Sequence, residues 1–255
     1  MRDFLVGGAI TMLAASATFA APAPGVDWDW QLSERIAPPA GIAAFDADKD
    51  SAPRAKIKAL NSAGVYTICY VSVGTVENYR DDVDAFPASV VGKTYGDWPD
   101  EKFLDIRQIG TILPIMRARF QACKRMGFDA IEPDNMDVYE NESGFQISAT
   151  ETVRYLLAIA DLAHGMGMEV GQKNVPELTP YLIDHFDFII TESCFRDRWC
   201  DQVAAYTAAG KPIFDAEYTD RGINWNKACK LAERMNISMI LKNRDLGPGR
   251  KSCNE

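Results

Sequence analysis

The chain has 255 residues, of which 47% are hydrophobic; this is enough apolar material for one large folded domain and excludes a coiled coil or a disordered chain. Its 27 basic and 36 acidic residues give a net charge of -9, which argues against nucleic acid or an anionic membrane surface as a partner. A neutral or cationic partner suits this charge better, although acidic charge also keeps exported proteins in solution.

The amino terminus has the pattern of a secretory signal. Residues 1–20 combine a charged start, an apolar stretch and small residues at Thr18-Phe-Ala20, which predicts cleavage near Ala20. Residues 21–25 are then a linker, and the mature domain spans residues 26–255. An uncleaved anchor is the alternative, and no later segment approaches the ~20 apolar residues of a membrane span. We expect a secreted or periplasmic protein.

Six cysteines in an exported chain favour three disulfides over a metal site. Cys194 and Cys200 are close in sequence, which predicts a local bridge. A pairing of Cys229 with Cys253 would tie down the carboxyl terminus and leave Cys69 with Cys123, but six cysteines allow 15 connectivities. The local pair is therefore the better founded of the three predictions.

The first half of the mature chain contains several strand patterns. Residues 26–32 alternate aromatic and polar side chains as in a half-buried strand. Trp28 and Trp30 share one face there, where they could stack on sugar rings or cap the bottom of a core. A second short strand, residues 41–46, ends at Asp46, and residues 65–74 give the strongest strand signal, rich in β-branched and aromatic side chains.

A long insertion, residues 75–110, follows the third strand, and a loop of this length in a compact domain is usually functional. It includes a strand-like piece at residues 103–107. After it, residues 128–135 form an apolar run that ends in acids. A period of two puts Glu132 and Asp134 on one face, which predicts an active site at an open strand end. A strand that ends in a solvated acidic turn is the alternative.

The second half repeats this pattern. Residues 168–174 end in Lys173 and Asn174, and Glu192 lies at the tip of the strand 186–192. Asp215 and Glu217 share a face of the strand 212–218, and residues 237–244 form the last strand. Helical patterns separate the strands at residues 56–63, 112–126, 148–163, 178–185, 201–209 and 226–235.

Eight strands alternating mostly with helices predict an α/β fold, a single-domain (β/α)8 TIM-type barrel with its active site at the carboxyl ends of the strands. We expect a somewhat distorted barrel, because there is little room for a helix before residue 42 and none is evident after Arg244. An open doubly wound sheet is the alternative, but no strand is followed by a Gly-rich phosphate loop.

Strand-end carboxylates point to glycosidic bond hydrolysis, which needs two carboxyl groups. Glu132, Asp134, Glu192 and Glu217 lie at or near the ends of three strands. The two histidines both fall in helical segments, which disfavours a serine-histidine triad or a His-rich metal site. A carboxylate site for magnesium, serving a metal-dependent phosphodiesterase, remains an alternative.

Several motifs in the same order resemble glycoside hydrolase family 114, the endo-α-1,4-polygalactosaminidase-like enzymes. The resemblance spans about residues 26–243; two departures, at Thr191-Glu-Ser-Cys194 and at Phe103, do not touch the carboxylates. The motifs are Trp28-Asp-Trp-Gln-Leu, Cys69-Tyr-Val-Ser-Val-Gly-Thr-Val-Glu-Asn-Tyr-Arg80, Phe128-Asp-Ala-Ile-Glu-Pro-Asp-Asn-Met-Asp137, Gly171-Gln-Lys-Asn174, Glu192-Ser-Cys-Phe195 and Glu217-Tyr218.

The resemblance implies a barrel enzyme that cleaves α-1,4-linked galactosamine polymers within the chain, with Asp134 and Glu192 matching the catalytic acids of the family. We take Asp134 as nucleophile and Glu192 as acid/base. We expect no metal and no cofactor, a cationic polysaccharide as substrate, and a monomer; a non-catalytic carbohydrate-binding barrel is the rival hypothesis. Further candidates for contacting or positioning the sugar are Trp30, Asp46, Tyr70, Glu132, Asp137, Lys173, Asn174, Glu217 and Tyr218.

Overall fold

The computed structural model describes residues 20–33, 35–96 and 98–254. The predicted signal segment falls almost entirely on residues 1–19, outside the described residues. Among the described residues, no helix is long and apolar enough to cross a bilayer. The strands are β1 Trp28–Gln31, β2 Ala44–Asp48, β3 Tyr66–Ser72, β4 Thr75–Glu77, β5 Val91–Tyr95, β6 Trp98–Leu104, β7 Ala130–Asp134, β8 Glu169–Lys173, β9 Phe188–Glu192, β10 Ile213–Tyr218, β11 Ile237–Lys242 and β12 Arg250–Ser252.

Eight parallel strands form the predicted barrel sheet, in the order β1-β2-β3-β7-β8-β9-β10-β11, and β12 pairs antiparallel to β11. Side chains join the first and last parallel strands: the Trp28 indole donates to the Ser238 carbonyl at 2.9 Å, and Lys242 pairs with Asp29 at 2.9 Å. The sheet is therefore a nearly closed (β/α)8-type barrel. The expected distortion is confirmed, because no helix occurs among the described residues between β1 and β2, and β11 is followed by a strand.

Helices cover the outside of the barrel. The predicted capping box at Ser148 and Glu151 is present at the start of α3, but the helices expected at residues 178–185 and 201–209 are reduced to single turns flanked by 3-10 turns. The helices are α1 Arg54–Ser62, α2 Ile109–Met126, α3 Ala149–His164, α4 Thr179–Leu182, α5 Cys194–Asp197, α6 Ala205–Ala208 and α7 Trp225–Met235.

The insertion after β3 is a small antiparallel sheet rather than an irregular loop. Its strand order is β4-β6-β5, and its central strand, β6, begins earlier than the strand-like piece predicted at residues 103–107. The backbone N–H of Leu104 donates to the Gly74 carbonyl at 2.8 Å. This bond fixes the small sheet against the carboxyl end of β3.

Aromatic side chains fill the lower part of the barrel interior. The rings of Trp28 and Phe214 are 5.0 Å apart, and Phe188 packs edge-on to Phe214 at 5.9 Å and to Tyr66 at 6.1 Å. A Cβ on Gly171 would lie 2.2 Å from the Phe188 ring, so β8 must leave this space empty. This apolar plug fills the bottom of the barrel interior, and the polar side chains that line the cleft lie above it.

Three disulfides connect the described cysteines as expected. Cys194–Cys200 closes a short loop after β9, Cys69–Cys123 joins β3 to α2, and Cys229–Cys253 joins α7 to the segment after β12. The second and third each join a helix to another element, and all three restrict the unfolded chain and stabilise the fold.

Candidate active site

A cleft of ≈ 500 Å³ opens at the carboxyl ends of the barrel strands. Of the residues predicted from sequence, Asp46, Glu132 and Glu217 do not line it. Those that do are Trp30, Tyr70, Asp134, Asp137, Lys173, Asn174, Glu192 and Tyr218.

Lys173, at the end of β8, is the centre of the site. Its ammonium nitrogen Nζ lies 2.8 Å from Glu132 Oε1, 2.9 Å from Asp134 Oδ1 and 3.4 Å from Glu192 Oε2. It also sits 4.5 Å from the centre of the Trp30 ring, which forms the buried floor beneath it. Lys173 is 2% exposed, so it acts as an internal counterion that gathers three carboxylates rather than as a surface cation.

Asp134 is held in its ionised form. Burial opposes ionisation, but the charge of Lys173 and hydrogen bonds from Lys173, the Asn135 N–H and Tyr70 outweigh it and keep the pKa of Asp134 below its ordinary value. The Tyr70 hydroxyl donates to Asp134 Oδ2 at 3.0 Å. Burial and the nearby Asp134 raise the pKa of Tyr70 well above its ordinary value, so Tyr70 remains a donor.

Glu192 faces Asp134 across Lys173 and has its own set of partners. Asn174 donates from Nδ2 to Glu192 Oε2 at 3.0 Å and accepts the Glu192 backbone N–H at 2.9 Å. The Tyr218 hydroxyl donates to Glu192 Oε1. Since Nζ of Lys173 lies 2.9 Å from Asp134 Oδ1 and 3.4 Å from Glu192 Oε2, these two oxygens are no more than about 6.3 Å apart, the sum of the two distances.

Glu132 and Asp46 form a buried layer behind the cleft. They are 1% and 0% exposed. Burial, and then the charge of Glu132, raise the pKa of Asp46 well above its ordinary value, which favours the protonated form of Asp46 beside Glu132. Neither side chain lines the cleft, so of the roles predicted from sequence the structure favours pKa tuning for Glu132 and orientation of a neighbour for Asp46. Both instead set the charge around Lys173.

The backbone turns sharply after each of the three site strands. Asn135, Asn174 and Ser193 follow Asp134, Lys173 and Glu192 directly, and have φ angles of 59°, 49° and 58°. Asparagine tolerates this left-handed region better than most residues. The turn after β7 also approaches β3 closely, since a Cβ on Gly74 would lie 1.8 Å from the Asn135 carbonyl oxygen.

The insertion sheet supplies one wall of the cleft. The residues of this wall were not predicted from sequence as part of the site. Tyr79, Tyr95 and Trp98 line it, and Trp98 is 52% exposed. Burial raises the pKa of Glu101 on the same wall to about 7, and burial with the charge of Asp134 raises the pKa of Asp137. The length of the insertion was the available signal, but its aromatic and acidic residues show no periodicity that would single them out.

Glu217 lies on the outer face of β10, so the structure does not bring it to the cleft. Its Oε1 accepts the backbone N–H groups of Phe195 at 2.8 Å and Arg196 at 3.0 Å. Asp215 Oδ1 accepts the Thr191 hydroxyl at 2.7 Å and the Cys194 N–H at 3.3 Å. These acids, which we call the outer pair, brace the loop that follows Glu192, and Glu217 does not line the cleft, where positioning substrate was one of the roles predicted for it.

Two other polar groups do not form a competing site. A cavity of ≈ 190 Å³ between β3 and α2 is lined by Arg80, Arg119 and Glu77, but these charges pair with one another and with nearby aspartates. Cys194, Cys200 and Asp215 are spaced as metal ligands would be, but both sulfurs belong to one disulfide and offer no thiolate.

Comparison with known proteins agrees with this geometry. The sequence model of Glycoside-hydrolase family GH114 matches residues 9–255. The crystal structure of Aspergillus fumigatus Ega3 in complex with galactosamine has a TM-score of 0.86 and 30% identity, over 94% of this chain and 100% of that chain. A search of curated proteins found no match.

More distant structures share the fold alone. The glycoside hydrolase domain of PelA from Pseudomonas aeruginosa has a TM-score of 0.67 and 16% identity, over 89% of this chain and 98% of that chain. Eubacterium rectale Amy13B has a TM-score of 0.54 and 10% identity, over 85% and 64% of the two chains. Since the family model covers nearly the whole sequence, the chain belongs to glycoside-hydrolase family GH114 and is a glycoside hydrolase.

Proposed function

We propose that this enzyme cleaves galactosamine-containing polysaccharide within the chain, with Asp134 as nucleophile and Glu192 as acid/base. The observation that carries the proposal is the shared contact of Asp134 and Glu192 with one buried lysine, which limits the separation of the two contacting oxygens to about 6.3 Å. Retaining glycosidases have their carboxyl groups ≈ 5–5.5 Å apart, and inverting ones ≈ 6.5–9.5 Å. The spacing favours retention.

The reaction then proceeds in two displacements. An oxygen of ionised Asp134 bonds to the anomeric carbon while the glycosidic bond breaks, and Glu192 gives its proton to the leaving sugar oxygen. Glu192, now a carboxylate, removes a proton from water, and the hydroxide oxygen displaces Asp134 from the anomeric carbon. Tyr70 and Lys173 keep Asp134 ionised for the first step, while Asn174 and Tyr218 orient Glu192.

A cationic amino sugar fits the lining of this cleft. Glu101 and Asp137 add acidic groups beside the catalytic pair, and the aromatic wall of the insertion offers faces for sugar rings. The galactosamine bound by Ega3, which is 30% identical to this chain, supports this choice of sugar. The α-1,4 linkage rests on the family resemblance of the motifs.

The arrangement argues against the metal-dependent phosphodiesterase alternative. The Lys173 ammonium occupies the position between Glu132, Asp134 and Glu192 that a divalent cation would need. A cation there would meet the positive charge of Lys173 at close range. The carboxylates are thus already neutralised by the protein itself.

Export of the protein is also part of the proposal. The three disulfides suit an oxidising compartment, and the sequence of residues 1–20 has the signal pattern. Periplasm and extracellular medium both satisfy these observations.

The test is digestion of a partially deacetylated α-1,4-galactosamine polymer in the presence of chelator. Mass spectrometry should show short oligomers early in the reaction, and NMR of the first products should show the α anomer. Binding without cleavage would favour a carbohydrate-binding barrel, and a first product with the β anomer would contradict the role of Asp134 as nucleophile.

A further inference from the structure

The floor of the barrel, at the end opposite the cleft, holds a carboxylate that contacts the start of the described chain. The backbone nitrogen of Ala21 donates to Glu169 Oε2 at 2.7 Å, and the Tyr66 hydroxyl donates to the same oxygen at 2.6 Å. Ala21 also packs against the apolar plug inside the barrel. Residues 21–25, interpreted from sequence as a linker, are therefore part of the packed structure at this end.

The surroundings of Glu169 are short of positive charge. Burial and the charge of Asp187 raise the pKa of Glu169, while His164 offsets this only in part. Asp129 also lies close enough to act on the same tyrosine, and His164 is bonded to Asp187 at 2.9 Å. Within the described ranges, no lysine or arginine forms an ion pair with Glu169. A partly buried carboxylate with neutral donors is incompletely compensated, and a cation here would stabilise it.

We propose that hydrolysis of the Ala20–Ala21 peptide bond during export converts the Ala21 amide into an α-ammonium group that forms an ion pair with Glu169. A signal peptidase would hydrolyse this bond with one water molecule. Ala20 leaves with the new carboxyl group, and the freed amine of Ala21 takes up a proton. Processing thus supplies the cation that the floor of the barrel lacks. This proposal rests on the export of the chain and is independent of the reaction in the cleft.

The bond is singled out by geometry as well as by sequence. A chain that begins before Ala21 would keep the neutral Ala21 amide as the donor to Glu169. A chain that begins at Pro22 would lack the Ala21 nitrogen that contacts Glu169. The following residues are held in place by separate contacts, since Asn254 donates to the Gly25 carbonyl and Ser252 to Asp27. The nitrogen of Ala21 therefore stays beside Glu169 in either form, and its charge is what changes.

The first test is to produce the full 255-residue chain in an exporting host and sequence the amino terminus of the exported protein. The expected sequence is Ala-Pro-Ala-Pro, starting at Ala21. A mature protein that starts at any other residue would overturn the proposal.

The second test compares thermal unfolding of the chain that starts at Ala21 with one that starts at Thr18, each with and without Glu169→Gln. The longer chain is the matched control because it keeps the Ala21 amide donor and carries its own α-ammonium group three residues earlier, on Thr18. At pH 7 the form starting at Ala21 should unfold about 2–4 °C higher, and Glu169→Gln should abolish the difference.

The pH dependence separates charge from packing. An α-amino group has an ordinary pKa of about 7.7–8.0, and Glu169 would raise it, so the stabilisation is complete below that value and disappears as pH rises through the raised one. A difference that persists at pH 11 or in Glu169→Gln would refute the ion pair. Unfolding is measured without substrate, so the result stands whether or not the proposed hydrolysis is correct.

Discussion

The molecule contains two groups of strand-end acids with different surroundings, the inner cluster of Asp134, Glu192 and Lys173 and the outer pair of Asp215 and Glu217. In the inner cluster a lysine ammonium and tyrosine hydroxyls contact the carboxylates, and both acids reach the cleft. In the outer pair, backbone amides and a threonine hydroxyl contact the carboxylates, and both acids are 0% exposed. Acids at the carboxyl ends of barrel strands therefore do not all reach the cleft.

The partner groups explain the difference. A mobile proton or a nucleophile needs an acid whose oxygens can reach substrate, whereas an acid that caps amides has its lone pairs already occupied. Burial and the charge of Glu217 raise the pKa of Asp215 well above its ordinary value, which favours the protonated form of Asp215 beside Glu217. The outer pair braces the loop after Glu192.

The largest expected effect comes from removing the acids of the inner cluster that reach the cleft. Asp134→Asn and Glu192→Gln keep shape and should each lower kcat by at least ~10²-fold, with little change in stability. The matched controls, Asp215→Asn and Glu217→Gln, should retain kcat near that of the unmodified enzyme and lose roughly 1–3 kcal/mol of unfolding free energy. Steady-state kinetics measure kcat, and denaturant unfolding measures the unfolding free energy. An inactive but stable Glu217→Gln enzyme would contradict the distinction between the inner cluster and the outer pair.

Replacing the lysine of the inner cluster should disturb stability and acid chemistry together. Lys173→Met leaves Glu132 and Asp134 without their counterion and should cost about 3–5 kcal/mol at neutral pH. Without Lys173 the pKa of Asp134 rises, so the acid limb of kcat/KM should move to higher pH. Lys242→Met is the control, since Lys242 pairs with Asp29 inside the barrel with both side chains 0% exposed. It should destabilise similarly and leave the pH profile unchanged.

Two buried acids with raised pKa values, Asp46 behind the cleft and Asp215 of the outer pair, should respond alike to rising pH. The folded-state pKa of both Asp46 and Asp215 is raised well above the ordinary value, so the stability they contribute is complete below about pH 4 and declines as pH rises toward the folded value. Asp46→Asn and Asp215→Asn should each flatten the loss of unfolding free energy between pH 5 and pH 9. A steeper loss in either variant would contradict its protonated state.

The smallest expected effect concerns the wall of the insertion. Because the pKa of Glu101 is about 7, its carboxylate ionises as pH rises through 7, and KM for a cationic polymer should fall by up to about fivefold over that range. In the Glu101→Gln enzyme, KM should not show this fall between low and high pH. The sugar amine titrates in both enzymes, so the difference between their KM profiles isolates Glu101; identical profiles would place Glu101 outside substrate binding.

Much of the fold was predictable because the strands and helices carry strong periodic patterns and because polar residues follow several strands. Asp134 and Glu192 lie at strand ends, as predicted from the sequence. The motif resemblance also identified both as candidate catalytic acids. The face of β10 was not predictable. Ile213 and Phe214 lie on opposite faces and are equally buried, and a period of two says which residues share a face, not which face points into the barrel.

Other features depend on contacts between segments distant in sequence. Lys173 was predicted to touch sugar, but its bonds to Glu132 and Asp134 arise only when β7 and β8 are neighbours. The register between β5 and β6 of the insertion is shifted twice, so no local pattern predicts that Glu101 and Trp98 face the cleft.

The left-handed residues after the site strands bear on attempts to transplant this chemistry. Asn135, Asn174 and Ser193 set the direction in which the chain leaves each strand, immediately after Asp134, Lys173 and Glu192. If only the three charged side chains are grafted onto another barrel, the turns after them will differ. The chain will then leave each strand in a different direction, and the side chains will point differently. The smallest portable unit is therefore the strand tip with its turn, a dipeptide rather than a residue.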